Sequence, residues 1–369
     1  MAYPYLMSDS TEPTATTAAA AVTNKVAYLG PPGSFTYQAA RGYFKVPTAT
    51  TTTTPAQSEV QLAAQASIED VFQAVEDGTA TYGVVPFENS SAGTVNQTLD
   101  RFVRSTSGGG GDDKPRSGIV ADATSANPHH RKGVWVRDQY FLPIVQCLLV
   151  QRSPPLSGET SPLVGGSDGD INGGDETTTT TTPSAGLGNI RTVYSHPMGL
   201  LQCDRWLKTH LPHVERVTVT STSRAAELAA QDPHAAAIGS AACVEFYNVR
   251  VARNGIEDCG GNTTRFFVIH RKPGLSTTAP GRSYLYFTVD HRRPGALSEA
   301  LAVFGQFELN LSKIDTRPSQ LLPWHFYFFA ECTGHHQDEV VQNAMRQLEL
   351  VATDVVVLGS YPDPLGETA

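Results

Sequence analysis

Apolar and polar residues follow one another along most of this chain in the rhythm of short strands that run into helices. Val26-Ala27-Tyr28-Leu29 is an apolar run of strand length ending at Gly30-Pro31-Pro32-Gly33, and a helix is predicted from Ser34, with Phe35, Ala39 and Ala40 along one side. Residues 68–77 have the spacing of a short amphipathic helix closed by Gly78. Tyr82 to Pro86 reads as the next strand, ending at Phe87-Glu88-Asn89-Ser90-Ser91, and Phe141 to Val150 reads as one strand. Thr192–Tyr194, Val217–Val219 and Ala236–Gly239 are further strands, followed by helices after Pro197, over Arg224–Ala230 and over residues 240–247. Strand–helix alternation of this kind predicts a parallel α/β sheet.

After residue 275 the rhythm changes. Tyr284–Val289 is a strand, Pro294–Phe307 a helix, Leu309–Asp315 and Trp324–Cys332 are strands, His336–Glu349 is a helix and Thr353–Leu358 a last strand. The order β-α-β-β-α-β predicts a ferredoxin-like unit spanning residues 283–362. Residues 271–282, rich in Pro, Gly and Thr, form the predicted linker.

Composition alters this picture in three places. A chain of 369 residues is long enough for two or three domains, yet charged residues make up only 17% of it. The shortfall lies in stretches of Thr, Ser, Gly and Pro. Residues 1–23 read as a disordered tail, and residues 105–131 and 153–189 as disordered insertions that decorate one folded unit. A net charge of −9 excludes a general nucleic-acid binder, which needs a basic face. No apolar run is long enough to span a membrane, and no secretory or transit signal is visible, so the expected location is the cytoplasm. Five Cys with no CxxC spacing read as reduced thiols, and no His spacing suggests a metal site.

The candidate chemistry lies at the strand ends. Four strands run into a small polar or Gly-rich turn that opens a helix, which places hydroxyls and backbone N–H groups where an anion is favoured. Ser34, Thr36, Ser195, Ser221 and Thr222 are the candidate ligands on this count. The same residue types also serve as plain helix N-caps. Taken one at a time, these turns do not separate the two roles.

Together, Gly30-Pro31-Pro32-Gly33-Ser34-Phe35-Thr36, Val85-Pro86-Phe87-Glu88-Asn89-Ser90, Ser195-His196-Pro197, Thr220-Ser221-Thr222 and Asn262-Thr263-Thr264-Arg265-Phe266 stand in the order seen in prephenate dehydratases, which this chain resembles over roughly residues 24–360. Arg293-Pro294-Gly295-Ala296-Leu297 and Asp315-Thr316-Arg317-Pro318 are similar to the two motifs of that family's ACT regulatory domain. The resemblance implies two α/β lobes like a periplasmic binding protein over residues 24–271, with the active site between them and the ACT domain after them. It implies conversion of prephenate to phenylpyruvate, water and carbon dioxide, with no cofactor. An N-terminal mutase, present in bifunctional members, is not expected ahead of Val26.

By the same resemblance Thr264 is the catalytic hydroxyl, donating to the departing oxygen, with Asn89, Ser90 and Glu88 as further catalytic candidates. Asn262 helps position Thr264 or is turn chemistry, and His196 caps or orients. Arg265 pairs either with a substrate carboxylate or with Glu88. Where the family has Gln after Ser-His-Pro this chain has Met198, with Gln202 one turn later as the candidate replacement. Gly295, Ala296, Leu297, Asp315 and Arg317 are the expected seat of an L-phenylalanine effector, in a homodimer or homotetramer. Two other functions fit the same pattern. One is arogenate dehydration, with Glu88 or Asp258 receiving an ammonium. The other is a non-catalytic bilobal sensing module.

Overall fold

The computed structural model describes residues 24–47, 60–105, 133–152, 187–273, 281–319 and 322–363. The predicted tail, nearly all of both predicted insertions and the centre of the predicted linker lie outside the described residues.

The first lobe is built from β1 (Asn24–Leu29), α1 (Phe35–Phe44), β2 (Val60–Gln65), α2 (Ile68–Glu76), β3 (Tyr82–Asn89), the short β4 (Gly93–Thr94), α3 (Asn96–Ser105) and β5 (Trp135–Pro143). The second contains β6 (Cys147–Gln151), β7 (Thr192–Ser195), α4 (Pro197–Gln202), α5 (Asp204–His210), β8 (Glu215–Thr218), α6 (Thr222–Ala229), β9 (Ala235–Gly239), a 3-10 turn at Ala241–Glu245 and β10 (Val249–Asn254). The chain then returns to the first lobe as β11 (Thr263–His270). The C-terminal unit is β12 (Gly281–Thr288), α7 (Ala296–Gln306), β13 (Leu311–Pro318), β14 (Phe326–Thr333), α8 (Glu339–Val351) and β15 (Thr353–Pro362), the predicted ferredoxin-like order.

Two expectations need correction. The apolar run Phe141–Val150 is not one strand. It breaks at residues 144–146, so that β5 lies in the first lobe's sheet and β6 in the second's. That break and residues 255–262 are the two crossings between lobes, tied together by Ile144 N–H to the Asn262 carbonyl at 2.8 Å and Ile256 N–H to the Gln146 carbonyl at 3.0 Å. The sheets are also mixed rather than parallel. β11 runs antiparallel to both β3 and β5, and β6 antiparallel to β9 and β10. A chain that crosses between lobes and returns must reverse direction in each sheet, so tertiary path overrides the local strand–helix rhythm.

The predicted insertion 153–189 also reaches too far. Leu187 is buried in the second lobe's core beside Ile190, Val193 and Leu207, so the core resumes at that residue.

The C-terminal sheet is covered on both faces. Leu285, Phe287, Phe328, Ala330, Val355 and Val357 face α7 and α8, while Tyr284, Tyr286, Tyr327, Phe329, Val356 and Leu358 face the first lobe. Alternate side chains of one strand enter different cores, which is why these strands read as continuous apolar runs. Phe87, Phe267, Leu99 and Phe102 of the first lobe share a core with the second set. Each fully buried aromatic contributes on the order of 1.5–3 kcal/mol. One continuous sheet, ordered β13-β14-β12-β15-β5-β11-β3-β1-β2, joins the C-terminal unit to the first lobe. At the β15–β5 seam Gly359 pairs with Val136, and a Cβ on it would lie 2.0 Å from the Val136 carbonyl oxygen.

Candidate active site

In both lobes the parallel strands end at one edge, and the predicted polar turns stand there. The lobes meet at this edge. Gln38 of α1 bonds the Ser240 hydroxyl, Arg41 pairs with Glu245 at 2.8 Å, and the Tyr247 hydroxyl donates to the Pro32 carbonyl at 3.3 Å.

β3 ends and β11 begins at the same edge, because the two are antiparallel neighbours in which Thr264 is directly opposite Asn89 and Arg265 opposite Glu88. Asn89 Nδ2 donates to Thr264 Oγ1 at 2.9 Å and to Asn262 Oδ1 at 2.7 Å. Asn89 Oδ1 accepts from the N–H groups of Ser91 at 3.0 Å and Ala92 at 2.9 Å, an Asx turn that fixes the amide. Ser90 Oγ accepts from Thr263 N–H at 3.0 Å and lies 3.5 Å from Asn262 Oδ1. Asn89, Ser90, Asn262, Thr263 and Thr264 are thus one hydrogen-bonded group beside the crossing between lobes. Since the Thr264 oxygen accepts from Asn89, its own hydrogen is available to donate, and no acceptor among the described residues takes it. The buried Asn262 Nδ2 is a second donor without a partner.

The remaining candidates are placed differently. Strand pleating puts Arg265 and Glu88 on the sheet face opposite Thr264. Arg265 is 8% exposed and its Nη1 lies 2.7 Å from Glu331 of β14 but 3.8 Å from Glu88. Its guanidinium stands over the rings of Phe87 and Phe267. It is therefore an ion pair partner of the C-terminal unit, not a carboxylate ligand in the cleft. Glu88 is likewise no catalytic acid at Thr264, since Lys313 Nζ holds it at 2.7 Å on the far face. A cavity of about 300 Å³, lined by Glu88, Phe141, Arg265, Arg282, Lys313 and Glu331 among others, lies between these pairs.

Among the turn hydroxyls, Ser195 is fully buried and donates to the Ile238 carbonyl at 2.9 Å, so it ties β7 to β9 and is not a ligand. Ser34 and Ser221 cap α1 and α6, accepting from Tyr37 N–H at 3.2 Å and Arg224 N–H at 3.0 Å. Ser34 also donates to the Leu29 carbonyl at 3.3 Å. Thr36 and Thr222 are buried, Thr222 against Gly239. The capping role therefore accounts for these turns. His196 caps α4 through Nδ1, which accepts from Met198 N–H at 3.3 Å, and burial holds its pKa below the ordinary value. A neutral ring that accepts at Nδ1 is not a general acid near neutral pH. Gln202 Oε1 accepts from Gln146 at 2.9 Å, at the crossing.

The expected effector residues are divided. Gly295 caps α7 in the left-handed conformation at φ 79°, so the helix begins at Ala296, two residues later than predicted, with Ala296 and Leu297 in the first turn. Asp315 and Arg317 instead face the first lobe, where Asp315 accepts from Thr94 at 2.9 Å and Arg317 grips Asp100 at 2.6 and 2.8 Å. β13 alternates, so Lys313, Asp315 and Arg317 share the sheet face away from α7. Within one chain they form a clamp between units and not a pocket with Gly295.

Sequence reasoning missed Glu331, Lys313 and Asp100. No motif marked them, because each matters through a contact that only the packing of two units creates.

The architecture is that of a two-lobed α/β protein with a polar cluster at the crossing between lobes, joined through one sheet to a ferredoxin-like unit. The prephenate dehydratase family model matches residues 26–274, and the ACT domain model matches residues 284–350. The bifunctional chorismate mutase/prephenate dehydratase of Aquifex aeolicus is 33% identical over 341 residues, covering 92% of this chain and 74% of the relative. This chain belongs to the prephenate dehydratase family, with a C-terminal ACT domain. It is accordingly a carbon–oxygen lyase of phenylalanine biosynthesis. A prephenate dehydratase from Arthrobacter aurescens, solved in complex with L-Phe, has the same fold with TM-score 0.68 and 23% identity, covering 94% of this chain and 92% of that one. The quorum quenching acylase GqqA also shares the fold, with TM-score 0.64 and 21% identity over 92% of this chain and 99% of its own. At that identity the likeness is one of fold alone. Among the described residues no helix is long and apolar enough to cross a membrane.

Proposed function

We propose that Thr264 is the group that assists hydroxide departure from prephenate, and that Asn89, with Ser90 and Asn262, holds it in place. The reaction breaks the bond between ring and carboxylate, and that electron pair flows into the ring. The ring becomes aromatic and expels the hydroxyl from the opposite carbon. Aromaticity supplies the driving force, so the protein has to orient the substrate, exclude water from the leaving carboxylate and hydrogen-bond the departing oxygen. A Thr hydroxyl is too weak an acid to protonate ahead of bond breaking. It donates a hydrogen bond that strengthens as negative charge develops. The observation that carries this reading is the 2.9 Å bond from Asn89 Nδ2 to Thr264 Oγ1, which orients the hydroxyl as a donor. The unpartnered Asn262 Nδ2 is the second donor available to the substrate.

Prephenate is favoured over arogenate by where the carboxylates stand. An ammonium needs a free acceptor, but Glu88 is held by Lys313, and Asp258 caps α5 by accepting from Arg205 N–H at 2.7 Å and Trp206 N–H at 2.9 Å. L-Phenylalanine is the expected inhibitor, its carboxylate at the first turn of α7, where Gly295 leaves open space. We assign the protein to the cytoplasm as a homodimer or homotetramer. The test is turnover of prephenate against arogenate, with and without phenylalanine. The expected result is selective turnover of prephenate that phenylalanine suppresses. Preferential turnover of arogenate would overturn the substrate assignment, and turnover undiminished by phenylalanine would overturn the effector assignment.

A further inference from the structure

Thr264 and Asn89 stand on the cleft face of two neighbouring strands, and their chain neighbours Arg265 and Glu88 stand back to back with them, against the ACT sheet. We propose that Arg265 and Glu88 are positioning residues for the catalytic pair, and that the ACT domain sets their geometry through Glu331 and Lys313. The inference rests on the reading that Thr264 assists hydroxide departure.

Glu331 is fully buried, and both its oxygens are engaged: Oε2 by Arg265 at 2.7 Å, Oε1 by Arg282 at 3.0 Å and by Ser312 at 3.1 Å. A buried carboxylate held from three sides fixes whatever it binds, because leaving any of those charges unpaired is costly. Arg265 is in turn packed among the rings of Phe87, Phe267 and Tyr361. The β3–β11 ladder shifts register immediately after Arg265, between it and Phe266. The residue skipped there is Phe87 of β3, and such a bulge re-aims the side chains beside it, here Glu88 and then Asn89, the partner of Thr264.

Lys313 does for β3 what Glu331 does for β11. Its Nζ lies 2.7 Å from Glu88 and 2.8 Å from Thr94 of β4. The Arg265 guanidinium stands between two carboxylates, 2.7 Å from Glu331 and 3.8 Å from Glu88, beside the cavity of about 300 Å³. A shift of the ACT sheet that lengthened the first contact would hand Arg265 to Glu88 and pull on both catalytic strands. A misplacement of about 1 Å at a reacting group costs roughly 10²-fold in rate, so a fraction of that displacement suffices for control.

The experiment compares Lys313→Met, Lys313→Arg and Glu331→Gln in the full chain, with prephenate as substrate. Lys313→Met is expected to lower kcat by about 3- to 30-fold, the range for coupling through a packed network. KM should stay within about twofold, since no substrate contact is removed. Lys313→Arg restores the charge and should recover most of the rate. Glu331→Gln should lower kcat in the same way, without raising KM. A merely structural role would lower melting temperature and leave kcat per folded molecule unchanged. Wild-type kcat in folded Lys313→Met, or a rise in KM alone, would overturn the proposal. That variant decides the matter if Glu331→Gln does not fold. Thr264→Val measured in parallel separates the two levels. If it keeps its rate, the reading of the site fails. If it loses rate while Lys313→Met does not, only the positioning role fails.

Discussion

Replacing Thr264 by Val removes one oxygen from the candidate site and nearly nothing else. Val keeps the β-branched shape that suits a strand, so β11 retains its register with Leu142 on one side and Asn89 on the other. The lost contact is a neutral hydrogen bond of 2.9 Å, and Asn89 Nδ2 keeps its second acceptor, Asn262 Oδ1, at 2.7 Å. No buried donor is orphaned, so the stability cost should be about 0.5–1.5 kcal/mol, the net value of one such bond. Loss of the hydroxyl as a donor to a developing oxyanion should cost about 10²- to 10³-fold in kcat, or roughly 3–4 kcal/mol of transition-state stabilisation. KM should change little, because the contact strengthens only as the carbon–oxygen bond breaks. The assay is ultraviolet detection of phenylpyruvate formed from prephenate, normalised to folded protein by circular dichroism. Turnover within threefold of wild type in a folded variant would remove Thr264 from the mechanism.

Gly295→Val places a β-branched residue at φ 79° in open space, so it should abolish phenylalanine inhibition at a cost of about 1–3 kcal/mol in stability, with dehydratase activity retained; undiminished inhibition would move the effector site elsewhere. It is a cleaner test than truncation after Arg271, which would strip the C-terminal sheet from Phe87 and Phe267. Gly359→Ala should destabilise the chain by about 3 kcal/mol or more, because the new methyl would meet the Val136 carbonyl oxygen; an unchanged melting temperature would refute the close approach at the seam. Burial lowers the pKa of His196, His270 and His335, so the unfolded chain binds their protons more readily than the folded one. Their contribution is complete above the ordinary His value of 6.5 and is lost as pH falls below it, so melting temperature should drop as pH falls through about 6.5, and less so in His196→Asn; a flat profile would show that these rings take up protons as readily in the folded chain as in the unfolded one. A short Gly/Ser linker in place of residues 154–185 should leave activity and melting temperature nearly unchanged, whereas extending the replacement through Leu187 should destabilise the second lobe by opening its core; a loss of folding in the shorter replacement would reveal a structural element there.

The sequence alone determined those features whose signals are local. Strand runs ending in Gly, Ser or Thr turns marked the strand edges, and the order of motifs led to Thr264 and Asn89, which the fold brings to 2.9 Å across two strands. Ser34, Ser221 and His196 were legible as helix starts, since capping depends on a residue and its next three neighbours. Tertiary structure decided the rest. Arg265 is adjacent to Thr264 in sequence but on the other side of the sheet, and its partner Glu331 lies 66 residues away. Asp315 and Arg317 looked like ligands and proved to be a clamp, because the pleat of β13 turns them to Thr94 and Asp100. The break at residues 144–146 is marked by Pro143 and by the polar Gln146, but the apolar residues on either side outweigh them, because strands of both lobes are buried and select the same residues. A charged side chain carries no record in sequence of whether it will meet substrate or an opposite charge. That choice is made when two units pack and the desolvated ion finds its partner.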